Sequence, residues 1–340
     1  EAFAAWYDPS WSYRKTITIA NTQVPEYQMN FPVLMNFTDS NLRDYSQADG
    51  GDIVFTSGNG RVQLDHEIEK YDSSDGTLVA WVKVPQLYSL SDTTLYMYYG
   101  HGVITNQENP TGVWSNGYES VYHLNDDFED STDNNRDATN SGSADVVGLM
   151  ADAQDFEGTD GSDHLDLGTW NVSGDEITIQ SWAKFESFSE SSRIITKGTS
   201  FTTPDNHVYG LAVDTSGLPY FFLKSCSFDL CTTSTLSDTS SFESGKWNLV
   251  TGTYDGSWMR LFVNGTQVAI ASDSGDIRQN SWSIYAGNSP DDLDRDYDGL
   301  LDEIRISSSA RSGNWLTTEF NNQVSSDTFY SIGTAEALGS

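Results

Sequence analysis

Near the C-terminal end, Asp294-Arg-Asp-Tyr-Asp-Gly299 sets carboxylates on alternate residues, Asp294, Asp296 and Asp298, and closes them with a glycine. Hard oxygens at alternating positions, followed by a residue free to take positive φ, are how a calcium loop begins. Position twelve counted from Asp294 is Arg305 and not Glu, so an EF-hand is excluded. The residues that follow alternate Asp302, Ile304 and Ile306 against Glu303, Arg305 and Ser307, the pattern of a half-buried strand. A carboxylate-rich loop feeding such a strand predicts an ion that pins a β-sandwich. An acidic surface turn before an ordinary strand is the plainer alternative.

Other chemistry is sparse. Cys226 and Cys231 are the only cysteines, separated by Ser-Phe-Asp-Leu in a strand-like region. That spacing closes a short hairpin by a disulfide if the Cα atoms lie about 4.4–6.8 Å apart. A zinc half-site would need further Cys or His nearby, and none is present. The disulfide is the favoured reading and points to an oxidising compartment. No HExxH, GxSxG or glycine-rich phosphate loop occurs. Glu67-Ile-Glu69 puts two acids on one face but lacks a third member, and Asp302-Glu303 alternates across a strand, so a non-enzymatic protein is expected. For sugar recognition an aromatic platform is needed. Trp81, Trp182 and Trp247 sit within strand patterns and read as core. Trp170, Trp258 and Tyr297 lie in polar segments and are the candidates, with Asn288 and Arg295 as polar contacts.

Composition narrows the partners. The 340 residues carry 50 acidic and 17 basic side chains, a formal net charge of -33. A nucleic-acid backbone or an anionic membrane would be repelled at almost any face. Calcium, neutral sugars or a saline exterior suit that balance. No apolar run reaches the roughly 20 residues that span a bilayer, so direct membrane insertion is not expected. Ala2-Phe3-Ala4 resembles the tail of a signal-peptidase site.

The elements that must position these residues are nearly all strands. Arg14–Ala20, Asn30–Phe37, Asp52–Thr56, Gln63–Glu69, Leu78–Val84 and Thr94–Tyr99 are short β-branched or aromatic runs between Gly, Asp and Ser clusters. Residues 106–117 are polar, with Pro110 and Gly112, and read as a linker in which Val113 and Trp114 are partly docked. Strand grammar resumes from Tyr118, and Asn264-Gly265 is a type I′ hairpin signal. No helical period longer than two turns is visible, although 309–321 has room for a helical turn. Phe329–Ile332 reads as a closing strand. The expectation is an all-β chain of two β-sandwich domains, 1–105 and 118–336, the second a two-sheet jelly roll.

From residue 118 onward the chain resembles the concanavalin A-like, laminin-G-like jelly roll of secreted bacterial and archaeal proteins. The matching phrases run in order: Val121-Tyr-His-Leu124, Asp130–Asp137, His164–Gly168, Thr178–Lys184, Gly245-Lys-Trp247, Gly252–Gly256, Arg260–Gly265 and Asp298–Ser307. The first half is similar to a domain of unknown function, family 2341, through Trp11–Lys15, Asp52–Phe55, Glu67–Glu69, Ala80–Pro85 and Tyr96–Gly100. The jelly-roll resemblance implies a calcium joining Asp130 and Asp302, with a further oxygen near Asn135; the alternating Asp294, Asp296 and Asp298 are the candidates for a second site. It also implies an extracellular or cell-surface, lectin-like adhesin whose partner is a glycan or another surface ligand. A stalk or filament subunit, self-associating in a larger surface assembly, is the alternative. A divergent glycan hydrolase is the least favoured.

Overall fold

A computed structural model describes residues 5–158, 163–188, 191–198, 207–227, 230–290 and 295–339. The chain divides into two compact units, residues 1–116 with 314–340, and residues 117–313.

The first unit is built on two antiparallel sheets. In one, Tyr330–Ile332, Tyr13–Ile19, Thr93–Tyr99 and Val54–Ser57 lie side by side, and Glu336–Ala337 also pairs with Tyr13–Ile19. In the other, Thr77–Leu87 lies between Gln28–Thr38 and His66–Asp72. Ile17, Val33, Met35, Val82 and Met97 are wholly buried, as the alternating runs require.

Two sequence expectations change here. Residues 106–117 are not a free linker: Asn109 caps a short helix, Pro110–Val113, and Trp114 packs on Trp81 with ring centroids 5.4 Å apart. Trp114 also donates its indole N–H to Glu67, so the segment belongs to the first unit. The second change concerns the C-terminus, which the sequence assigned to the jelly roll as far as 336. Gly313–Val324 is a 12-residue helix, longer than the expected turn. Its Trp315 lies 4.6 Å from Phe31, and Asn322 bonds both Leu34 N–H and Leu34 C=O at 2.7 and 3.0 Å. The strand after it completes the sheet of Tyr13–Ile19. The helix escaped the periodicity test because its buried face includes Thr318, Glu319, Asn322 and Gln323, polar residues that hide a 3.6-residue period.

The second unit is a jelly roll of two eight-stranded antiparallel sheets. One runs Thr266–Ser272, Trp258–Val263, Trp247–Asp255, Glu176–Phe185, Gly299–Ser307, Asp152–Phe156, Ala144–Val147, with Tyr118–Tyr122 also on Gly299–Ser307. The other runs Leu230–Ser237, Pro219–Ser227, Tyr209–Val213, Ser192–Lys197, Ile284–Ala286, His164–Asp166, Thr139–Ser141, with Asp276–Ile277 on Pro219–Ser227. Between them lies a core that includes Ile179, Leu211, Phe221, Val250, Leu261, Leu301 and Ile304. Burying such faces from both sheets at about 25 cal/mol per Å² of apolar surface is what holds the layers together.

Asn264 and Gly265 both have positive φ, 51° and 70°, as the predicted I′ turn demands. Cys226 and Cys231 are direct cross-strand partners and are bonded, S–S 2.05 Å. Their Cα atoms are 4.0 Å apart, closer than the range of about 4.4–6.8 Å expected for such a bridge. Gly299 opens its strand at φ 135°, and a Cβ there would lie 2.2 Å from the Lys184 carbonyl oxygen, so only glycine fits.

Candidate functional site

The expected ion ligands do not converge. Asp130 is buried and its carboxylate is saturated. Oδ1 accepts from the amides of Val121 and Thr132, each at 3.0 Å. Oδ2 accepts from Thr132 Oγ1 at 2.9 Å and the Arg136 amide at 3.0 Å. Four hydrogen bonds fill the roughly four lone-pair sites of a carboxylate, leaving none for a cation in this arrangement. Asn135 is exposed, at φ 56°, and holds the turn through its own N–H to Thr132 C=O. This pair does not fit the shell that the resemblance implies.

Asp302 differs. It is fully buried, its Oδ2 accepts from the Leu149 and Met150 amides at 2.9 and 3.4 Å, and its Oδ1 has no partner. The alternation expected of this strand is broken by a bulge. Asp302 pairs with Trp182 and Arg305 with Gln180, so two residues face Ser181 alone, and Glu303 takes φ 54°. Ile304 and Ile306 therefore reach the core while Asp302 does not. Burial, then the Glu303 charge, push its carboxyl up to about 8, against the pull of the two amides. Beside it Glu303 is held below its ordinary value. Burial alone would raise it, but the His123 and Arg305 charges and hydrogen bonds dominate, at 2.6 Å to His123 Nδ1 and 2.5 Å to Arg305 Nη2.

The Asp-x-Asp-x-Asp loop is also dispersed. Asp294 lies outside the described residues. Asp296 Oδ1 accepts from Asn288 Nδ2 at 2.6 Å. Asp298 accepts from the Gly158 amide at 3.3 Å and from the Ser187 hydroxyl. Within this unit, no three His, Cys, Asp or Glu ligand atoms among the described residues come within 4.8 Å of one another.

Of the expected sugar contacts, Tyr297 is 1% exposed and lies in the core, its ring tilted against Phe185 with centroids 4.5 Å apart and its hydroxyl donating to Leu300 C=O. It presents no ring face to a ligand. Alternation explains this: it is the inward member between Asp296 and Asp298. Asn288 is wholly buried, and the Arg295 carbonyl accepts from the Arg193 amide at 3.1 Å. Trp170 packs against the core, its indole N–H on Leu167 C=O and one face covered by Arg136 at 4.0 Å. Trp258 alone of the three aromatics stands well exposed, at 44%.

Trp258 marks a place the sequence did not single out. In Trp258–Val263, Met259 and Leu261 enter the core, so Trp258, Arg260 and Phe262 share the outer face. Next to them opens a cleft of about 310 Å³, lined by Asp255, Arg260, Phe262, Gln267 and the segment 310–313. Arg260 Nη1 bonds Asp255 Oδ2 at 2.6 Å. Asp255 also accepts from the Ser257 and Trp258 amides. Burial would raise that carboxyl, but Arg260 and the two amides together hold it below its ordinary value. Arg311 stacks its guanidinium 4.5 Å from the Tyr118 ring centroid, while its backbone N–H is anchored on Thr178 Oγ1 at 2.9 Å. The cleft thus has an apolar floor, a planar amide, two guanidinium groups and one carboxylate. The signal was a phenylalanine at an outward strand position, Phe262, which is 2% exposed although it is not in the jelly-roll core.

Two family models match the chain, and their matched stretches overlap. Residues 159–317 match the concanavalin A-like lectin/glucanases superfamily, and the second unit has that fold. Residues 49–173 match a domain of unknown function (DUF2341). No curated protein matches the chain. Among solved structures, domain 4 of AbnA, a GH43 extracellular arabinanase from Geobacillus stearothermophilus in complex with arabinotriose, is 18% identical. The match covers 60% of this chain and 98% of that one, with a TM-score of 0.45. The binding domain of Paraclostridial Mosquitocidal Protein 1 is 15% identical over 59% of this chain and 51% of that one, TM-score 0.48. The binding domain of Botulinum Neurotoxin DC in complex with SialylT is 14% identical over 61% and 52%, TM-score 0.47.

Proposed function

We propose that this chain is a carbohydrate-binding region of an extracellular adhesive protein, and that the outer-face cleft of the second unit holds the saccharide. The observation that carries the reading is the cleft itself. Phe262 supplies an apolar floor, Trp258 an exposed ring four residues earlier on the same face, and Arg260, Gln267 and Arg311 supply planar donors. Sites for sugars combine a flat apolar surface with a few fixed polar groups. Two guanidinium groups against one carboxylate leave the cleft net positive in a chain of formal charge -33, so a carboxylate-bearing saccharide is favoured. The disulfide agrees with an oxidising exterior. Among the described residues, no helix is long and apolar enough to cross a membrane.

The cleft is proposed to bind and not to cut. Its one lining carboxylate, Asp255, is engaged by Arg260, and glycoside hydrolysis uses a pair. Calcium enters the proposal only at Asp302, where the unpartnered Oδ1 would meet a cation; it acts there on stability and takes no part in the cleft.

A glycan array read with the whole chain and with Arg260→Ala tests the proposal. Acidic glycans should bind the wild type and weaken about tenfold or more on loss of the charge-assisted contact. Absence of any glycan signal together with concentration-dependent polymerisation would favour the stalk or filament reading, and release of reducing ends would favour a hydrolase.

A further inference from the structure

We infer that the first unit carries a saccharide site of its own, for a neutral ligand, separate from the cleft proposed above. The strands Val54–Ser57 and Thr93–Tyr99 belong to one of its sheets and Thr77–Leu87 to the other. Where the first and third of these end and the second begins, a cleft of about 320 Å³ opens, within the size range of small-ligand sites. Its lining contains no Lys, Arg or His.

The groups around it suit vicinal hydroxyls. Asn59 Oδ1 is occupied by the Ser57 hydroxyl at 2.9 Å and the Arg61 amide at 2.9 Å, which fixes the amide plane and leaves Nδ2 to donate outward. Gln86 Oε1 accepts from Tyr88 Oη at 2.6 Å, so its Nε2 is likewise directed by an internal bond and free to donate. Asp92 Oδ1 takes the Asn21 amide at 3.0 Å, and Oδ2 remains as an acceptor. Two oriented donors and one acceptor are what a pair of adjacent sugar hydroxyls would engage, since each hydroxyl both accepts and donates.

A stacking surface is present in the same lining. Tyr88 is 41% exposed, and its ring lies 5.8 Å from that of Tyr27, which is 40% exposed. The hydroxyl bond to Gln86 and the ring contact hold Tyr88 in place before any ligand arrives, which lowers the ordering cost of binding. The cleft also depends on Gly58: a Cβ there would lie 2.6 Å from the Thr94 carbonyl oxygen, so the loop can lie this close to the strand only as glycine. Asp92 is the sole charged side chain of the lining. It disfavours an anionic ligand, so a neutral saccharide is the class that fits, whereas the Arg-lined cleft of the second unit favours an acidic one.

Saturation-transfer NMR and titration calorimetry with the whole chain and neutral oligosaccharides test this. Wild type should bind, and Gln86→Ala/Tyr88→Ala should weaken binding by about tenfold or more, from the loss of a stacked ring and an oriented donor. Arg260→Ala should leave that affinity unchanged. Both altered side chains are at the surface, and Asn59→Ala offers a second variant on a different loop, expected to weaken binding about threefold to tenfold. The inference is overturned if wild type binds no neutral oligosaccharide, if the double variant and Asn59→Ala both bind as wild type does, or if Arg260→Ala removes neutral and acidic binding together.

Discussion

Asp130 and Asp302 are both buried carboxylates in the second unit, and the sequence offered them as two arms of one ion site. Their surroundings are opposite. Asp130 sits in a tight loop whose amides and hydroxyl fill both oxygens. Asp302 sits on a strand beside a bulge, with one oxygen holding a loop and the other holding nothing. The first is a local organiser: it ties the start of the loop to residues two and six positions on, as Asx-type turns do. The second is a buried group whose bonding is incomplete. Residue type and order were shared, and the difference came entirely from the backbone around each.

The largest effect should therefore follow removal of the organiser. Asp130→Ala leaves three amides and a hydroxyl without their acceptor, and a loss of roughly 4 kcal/mol is expected from chemical unfolding. A loss under about 1 kcal/mol would show that water replaces the carboxylate easily, and the contrast with Asp302 would collapse.

At Asp302 the expectation is a gain. Its folded carboxyl is raised to about 8, while an unfolded Asp titrates near 3.9. Between those values the folded state holds the proton more tightly. The stability tied to that proton is fully present below about pH 4 and is lost as pH rises toward 8. In EDTA at pH 7, Asp302→Asn should be more stable than wild type by something on the order of 3 kcal/mol, and the difference should shrink toward zero near pH 4. Denaturation of the two proteins across that range is the measurement. A pH-independent difference, or a loss at pH 7, would refute the account of a raised carboxyl.

How much of this was legible follows from the same contrast. The strands, the Asn264-Gly265 turn and the disulfide hairpin are written in local alternation and turn chemistry, and the structure has them. The placing of Asp302 was not, because a bulge at Glu303 moves it off the face of Ile304 and Ile306, and nothing in the residue types announces the extra residue. Tyr297 was misread for a related reason: flanking aspartates made its segment look like a surface loop, yet alternation turns that one ring inward. The C-terminal segment joined the first unit because Asn322 and Tyr330 find their partners near residues 34 and 36, pairings about 290 positions apart in sequence that no window reveals. The Arg260–Phe262 cleft was half legible. Trp258 was named, but the outward Phe262 needed the core on the opposite face to be known first.

Calcium gives the smallest and sharpest test of the contrast. Asp130 has no lone pair to offer, so Asp130→Asn should keep whatever calcium response wild type has, even though the variant itself is weaker. Asp302 has an unpartnered oxygen, so any response that passes through this pair should vanish in Asp302→Asn. An ion at tenfold its dissociation constant adds only about 1.4 kcal/mol, a shift of a few degrees in a unit of this size. Melting curves of the three proteins in EDTA and in millimolar calcium resolve that. If wild type and Asp130→Asn rise together while Asp302→Asn stays level, the ion belongs to Asp302. Equal shifts in all three would place it elsewhere, and no shift in wild type would mean that the orphaned oxygen of Asp302 is kept neutral by its proton alone.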